Sequence, residues 1–190
     1  MLAIDLGYGF KLPKGGINKV LILILMMISS FLIIPLIWWL GYVADVLSSA
    51  IKNEKDLPSF KFSKQMKFGL VVVGLEIFYL FIPLVVMGFN AWVGYVLLLL
   101  AMFILPIAIC NYLVKKGAFN FSEHFFVVGK NPKGFFSAYG LFLLFEVLFI
   151  FAQYMVIIDP VLLLIFMVLI LPYFAVVFAR LYGFAYRKVN

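Results

Sequence analysis

Apolar residues in this chain come in long unbroken runs rather than at the spacing of one helix face. From Gly69 the sequence stays apolar to Phe89, with Glu76 as its one charge. It turns at Asn90 and returns apolar from Ala91 to Cys110 before Lys115-Lys116. The plan recurs from Phe136 to Lys188, with Glu146 in the first limb and a turn at Asp159-Pro160. Each limb holds about 20 mostly apolar residues, enough to span a ~30 Å hydrocarbon core at 1.5 Å per residue. The pattern predicts two transmembrane hairpins, residues 69–116 and 136–188.

Residues 17–51 are also apolar but are broken by Ser29-Ser30 and Pro35. Two amphipathic stretches frame the runs. In residues 1–16, Leu2, Leu6 and Phe10 recur at helical spacing, and in residues 118–134 Phe121, Phe125 and Val128 share a face. Both read as helices lying in the membrane interface. Each closes on the same phrase, Lys11-Leu-Pro-Lys14-Gly15 and Lys130-Asn-Pro-Lys133-Gly134. The predicted fold is an all-α membrane protein of one domain. It is a polytopic bundle of two transmembrane hairpins, a broken N-terminal apolar region and two interfacial amphipathic helices.

Composition adds the class and charge the orientation. With 67% hydrophobic residues and a mean hydropathy of +1.20, the chain lies far outside the range of soluble domains. The net charge of +7 reads as a topology signal rather than a nucleic-acid footprint. The basic residues form four clusters, at 11–19, 52–67, 115–133 and 180–188, and the turns at Gly88–Asn90 and Ile157–Pro160 contain none. Each hairpin therefore starts and ends on the cytoplasmic side of the cell membrane, and both termini are expected there. Residues 17–51 have basic clusters at both ends, which favours a re-entrant hairpin bent near Ser29–Pro35. About 17 residues per limb is short for two full crossings; the alternative is a single span with an outside N-terminus. Met1–Asn18 is long for the start of a signal peptide and no Ala-x-Ala site follows, so an uncleaved segment is expected.

Internal repetition is the next signal. Ile33-Ile34-Pro35-Leu36, Ile104-Leu105-Pro106-Ile107 and Ile170-Leu171-Pro172-Tyr173 share one phrase, with prolines 71 and 66 residues apart. Pro35, Pro106 and Pro172 are expected to kink their helices. Glu76 and Glu146, 70 residues apart, occupy equivalent limbs. The copies keep one orientation, so the repeat is parallel rather than inverted.

The amphipathic N-terminus, Leu40-Gly41-Tyr42, the turn Asp56-Leu57-Pro58-Ser59-Phe60, Lys67-Phe68-Gly69-Leu70 and the terminal Ala179-Arg180-Leu181-Tyr182-Gly183-Phe184-Ala185-Tyr186 occur in an order that resembles a known family. It is the prokaryotic, mainly archaeal, integral-membrane family called domain of unknown function 4013. The resemblance implies a topology and carries no catalytic or ligand residue.

Candidate chemistry is sparse. A carboxylate within a span is costly and marks Glu76, ~10 Å into its limb, and Glu146, ~15 Å in, as candidates for binding an ion or relaying a proton. The competing reading is that both acids are protonated and hydrogen-bond helices together. Tyr79, Gln153, Tyr154, Tyr173 and Arg180 are the polar partners within reach, and Arg180 is otherwise expected to snorkel to headgroups. Lys61, Lys64 and Lys67, interleaved with aromatics in a loop spanning 53–68, and Lys130 and Lys133 are expected to contact anionic headgroups. Asp45 is expected to reach water and His124 to lie on the surface, while Cys110 reads as a small core residue. One histidine and one cysteine make no metal site, no cofactor signature occurs, and no enzyme motif appears. Three roles follow. The first is a non-enzymatic scaffold or small subunit at the cytoplasmic face, with a membrane-protein partner or as a homo-oligomer. The second is an ion or small-solute channel or transporter using the two glutamates, and the third an organiser of anionic lipids.

Overall fold

A computed structural model describes residues 16–28, 33–114, 117–155 and 170–189. The interfacial helix expected over residues 1–16 lies almost wholly outside them, as do Ser29-Ser30 and the turn at Asp159-Pro160. Among the described residues seven helices account for nearly all of the chain, with no strand. They are α1 (Gly16–Ile28), α2 (Ile33–Ile51), α3 (Phe62–Phe89), α4 (Ala91–Leu113), α5 (Phe121–Lys130), α6 (Pro132–Met155) and α7 (Leu171–Arg187). Of these, α2, α3 and α4 are long and apolar enough to cross a membrane. The fold is thus all-α, a helical membrane bundle.

The first hairpin forms on one residue. Asn90 is extended and its backbone N–H reaches the Val86 carbonyl at the end of α3. Its side-chain oxygen accepts from the N–H of Val93 and caps the start of α4. Helix α3 begins at Phe62, so the last seven residues of the segment 53–68 expected to be a loop are helical. Its first turns bury Gln65 and Gly69, and that packing extends the helix through a stretch whose lysines read as loop.

Helix α2 is the hub. It packs against α1, α3, α4 and α7, and every residue from Gly41 to Ala50 except Val43 is buried. Close approach is built on glycine. A Cβ on Gly41 would lie 1.7 Å from the Gln65 carbonyl oxygen, and one on Gly69 would lie 1.9 Å from that of Ile37. At the other side of α2, a Cβ on Gly183 would meet Ala50 and the Leu47 carbonyl. Small residues where backbones meet are how helices associate in lipid, where no hydrophobic drive separates one apolar surface from another.

The basic clusters gather at one end. Asn53 takes a left-handed conformation, φ 64°, and ends α2 with Glu54 N–H on the Ser49 carbonyl. Arg187 at the end of α7 donates to the Asn53 side chain. Lys19 in the first turn of α1 donates to the Leu57 carbonyl. Asn131 accepts from Gly134 N–H at the start of α6, 3.1 Å, and donates to the Ala185 carbonyl of α7, 3.0 Å. This is what the Lys-Asn-Pro-Lys-Gly phrase at 130–134 does: Asn131 caps the helix, Pro132 opens it, and Gly134 leaves room for the cap.

The repeated prolines differ in setting. Pro106 lies inside α4, and Pro83, not part of the repeat, lies inside α3. Pro35 is the third residue of α2 and Pro172 the second of α7, and the residues one turn before each lie outside the described residues.

Candidate functional site

A cavity of about 280 Å³ lies among α2, α3, α4, α6 and α7. Glu76 of α3 and Glu146 of α6 both line it. Each acid is half-buried, and among the described residues neither makes a hydrogen bond or ion pair. The rest of the wall is divided by chemistry. Aliphatic side chains of α2, α3 and α4 form one part; Phe142, Phe145, Phe174, Phe178 and Tyr182 of α6 and α7 form the other. The aromatic part is pre-packed, with Phe145 stacked on Phe174 at 4.1 Å and Phe142 edge-on to Phe178 at 5.3 Å between centroids.

Tyr182, Met102 and Pro106 also line the cavity. Tyr182 is 3% exposed, and its hydroxyl has no partner among the described residues. Pro106 has no N–H for the carbonyl of Met102 one turn earlier, and both residues line the cavity. In the sequence Pro106 reads as a kink and Tyr182 as part of the terminal aromatic stretch, with no link to the acids.

Of the polar partners suggested for the acids, Tyr79, Tyr173 and Arg180 do not line the cavity. Tyr79 turns away from the cavity and donates to the Ala118 carbonyl at 2.7 Å. Tyr173 packs at the edge of the core. The side chains of Gln153 and Tyr154 lie outside the described residues. Arg180 is buried, 6% exposed, and lines a small cleft with Glu54 and Asp56 beyond the end of α2.

Two buried polar clusters were not anticipated. Asp45, expected at water, is 2% exposed, and Lys64 reaches it at 2.5 Å. Lys64 is therefore engaged by an internal carboxylate, with its side chain still 46% exposed. Gln65, fully buried, donates to Asp45 at 3.3 Å and to the Ser59 carbonyl at 3.0 Å. It accepts from Trp38 Nε1 at 2.8 Å and from Lys61 N–H at 3.0 Å. Lys61, Lys67, Lys130 and Lys133 are exposed, and Lys130 lies 4.3 Å above the Phe126 ring.

His124 is the second correction: it is 1% exposed. Asn111 Nδ2 lies 2.8 Å from Nδ1, and Nε2 lies 2.9 Å from the Tyr79 hydroxyl and 3.0 Å from the Ala118 carbonyl. Tyr186 in turn donates to Asn111 Oδ1 at 2.5 Å. The pattern fits a neutral ring with its proton on Nε2. Burial holds the imidazole below its ordinary pKa, against smaller opposing effects of the Ala118 carbonyl and Glu123. His124 and Val127 form the inner face of α5, and Phe121, Phe125 and Phe126 point outward. The apolar face expected for this helix is thus its outer one, because the inner one is organised by hydrogen bonds.

What the arrangement offers is binding. Among the described residues two unpartnered carboxyl groups share a cavity with an apolar body, and no three metal-ligating side chains cluster. No family model, no curated protein and no solved structure matches this chain.

Proposed function

We propose that this is a membrane protein that takes a small solute into the cavity between α2, α3, α4, α6 and α7 and holds it through Glu76 and Glu146. One observation carries the reading: two acids 70 residues apart in sequence line the same cavity, and neither has a partner among the described residues. A scaffold that kept these acids only to tie helices together would pair them, since an unpaired polar group in an apolar setting is costly. Their freedom favours the solute-handling role over the scaffold. A place in the family called domain of unknown function 4013 is part of the same proposal and assigns no residue. So is the orientation, with the basic end at the cytoplasmic face of the cell membrane. The Lys19–Leu57 contact supports residues 17–51 entering and returning to that face.

The test is recovery of bound small molecules. Wild-type protein and the Glu76→Gln/Glu146→Gln double variant are purified from native membranes in mild detergent, denatured, and the released compounds identified by mass spectrometry. A compound released by the wild type and depleted in the variant is the expected result. Equal recovery from both, or none from folded wild type, counts against the reading.

A further inference from the structure

We infer that the solute is an organic cation with an apolar body, an amine or quaternary ammonium compound, rather than a metal ion or a neutral lipid. This rests on the reading above and names its ligand class. The cavity wall decides the matter.

A bare alkali or alkaline-earth cation requires about six oxygen ligands or a retained water shell. Among the described residues the wall offers the two carboxyl groups and is otherwise almost wholly aliphatic and aromatic. A hydrated ion would face hydrocarbon over most of its surface. A neutral apolar molecule would fill the space but leave the two carboxyl groups without partners. An organic cation resolves both. Its body replaces water against the aliphatic side, its charge meets Glu76 and Glu146, and the aromatic wall of α6 and α7 accepts the positive headgroup. Aromatic rings beside carboxylates are the standard chemistry for quaternary ammonium recognition, through the negative ring face.

The clean probe is an isosteric pair, benzyltrimethylammonium and neopentylbenzene, which share a shape and differ by one positive charge. Binding is measured by equilibrium dialysis against the full chain in nanodiscs, with empty nanodiscs as the blank for lipid partitioning. Sodium chloride is varied as a competitor. The cation is expected to bind at least about tenfold more tightly than its isostere, the ratio sustained by one charge-assisted contact. Glu76→Gln/Glu146→Gln should remove that preference while leaving weak binding of both probes. Ala175→Leu, which narrows the cavity without touching the acids, should weaken both. Equal binding of the two probes, with both lost in Ala175→Leu, overturns the cation and leaves the cavity as a solute site. Displacement of the cation by millimolar sodium in place of a shape requirement points to a metal ion and overturns it as well. Binding of neither probe, or binding unaffected by Ala175→Leu, overturns both this inference and the solute-binding role beneath it. Folding of each variant is checked through Cys110, which stays protected from thiol reagents while the bundle is closed.

Discussion

Single residues divide here into those that hold helices together and those left free. Asp45 belongs to the first kind. It is a carboxylate at 2% exposure whose cation, Lys64, has a side chain 46% exposed. Removing the lysine strands the acid, whereas removing both charges does not. Lys64→Ala is expected to cost about 1–3 kcal/mol, and Asp45→Asn added to it should recover most of that loss in thermal unfolding in detergent. His124 behaves in the opposite sense to a salt-bridged acid. Its folded-state pKa is depressed, so the unfolded chain binds the proton first as the pH falls. Stability should be greatest above the ordinary imidazole pKa of about 6.5 and decline as the pH drops through it. A melting temperature that falls between pH 7 and pH 5 in the wild type and stays level in His124→Gln is the expected outcome. Neither residue was legible as buried from the sequence. Lys64 stands 19 residues from Asp45 and Tyr79 stands 45 from His124, and local hydropathy assigns isolated polar residues to water.

At the scale of elements, the sequence reading succeeds where one force acts alone. The run from Gly69 to Phe89, the turn at Asn90 and the return from Ala91 follow from hydropathy and one extended asparagine, and the hairpin forms as expected. The start of α3 does not follow from hydropathy. Residues 62–68 alternate lysine and aromatic in a way that suits a loop, and become helix because Gln65 and Gly69 seat against α2. The contact between those helices is therefore the sharpest place to test the packing. Gly41→Ala is expected to destabilise by about 3 kcal/mol, the upper range for overpacking, because the new methyl meets main chain. Gly74→Ala lies in the same span region with nothing within 4 Å. It should be neutral or stabilising by up to about 1 kcal/mol, the helix-propensity gain of alanine over glycine. Paired melting curves of the two variants separate a packing effect from a general intolerance of substitution.

Across the whole molecule, packing is uneven. Buried side chains concentrate where α2, α4 and α7 meet near the basic end, in Tyr42, Ile107, Cys110, Leu181 and Tyr186. The opposite ends of α3 and α4 present Phe81, Ile82, Phe89 and Trp92 outward, as surfaces for hydrocarbon do. The candidate cavity lies between these regimes, close enough to the core for a fixed wall and open enough for two unpartnered acids. Cys110, fully buried, reports on the core from within. Maleimide labelling should be negligible in the folded protein and complete on denaturation, and it should stay negligible in Glu76→Gln/Glu146→Gln. Rapid labelling of that variant would mean the acids support the bundle.

The glycine contact between α2 and α3 has a genetic consequence. Most damaging substitutions in a packed protein can be rescued at a second site, because a neighbouring side chain shrinks to make room. At Gly41 and Gly69 the nearest obstacles are the carbonyl oxygens of Gln65 and Ile37, which every amino acid carries. No replacement at residue 65 or 37 removes them. A suppressor screen begun from Gly41→Ala should yield reversions or distant stabilising changes, never a compensating neighbour, whereas one begun from Lys64→Ala should return changes at Asp45.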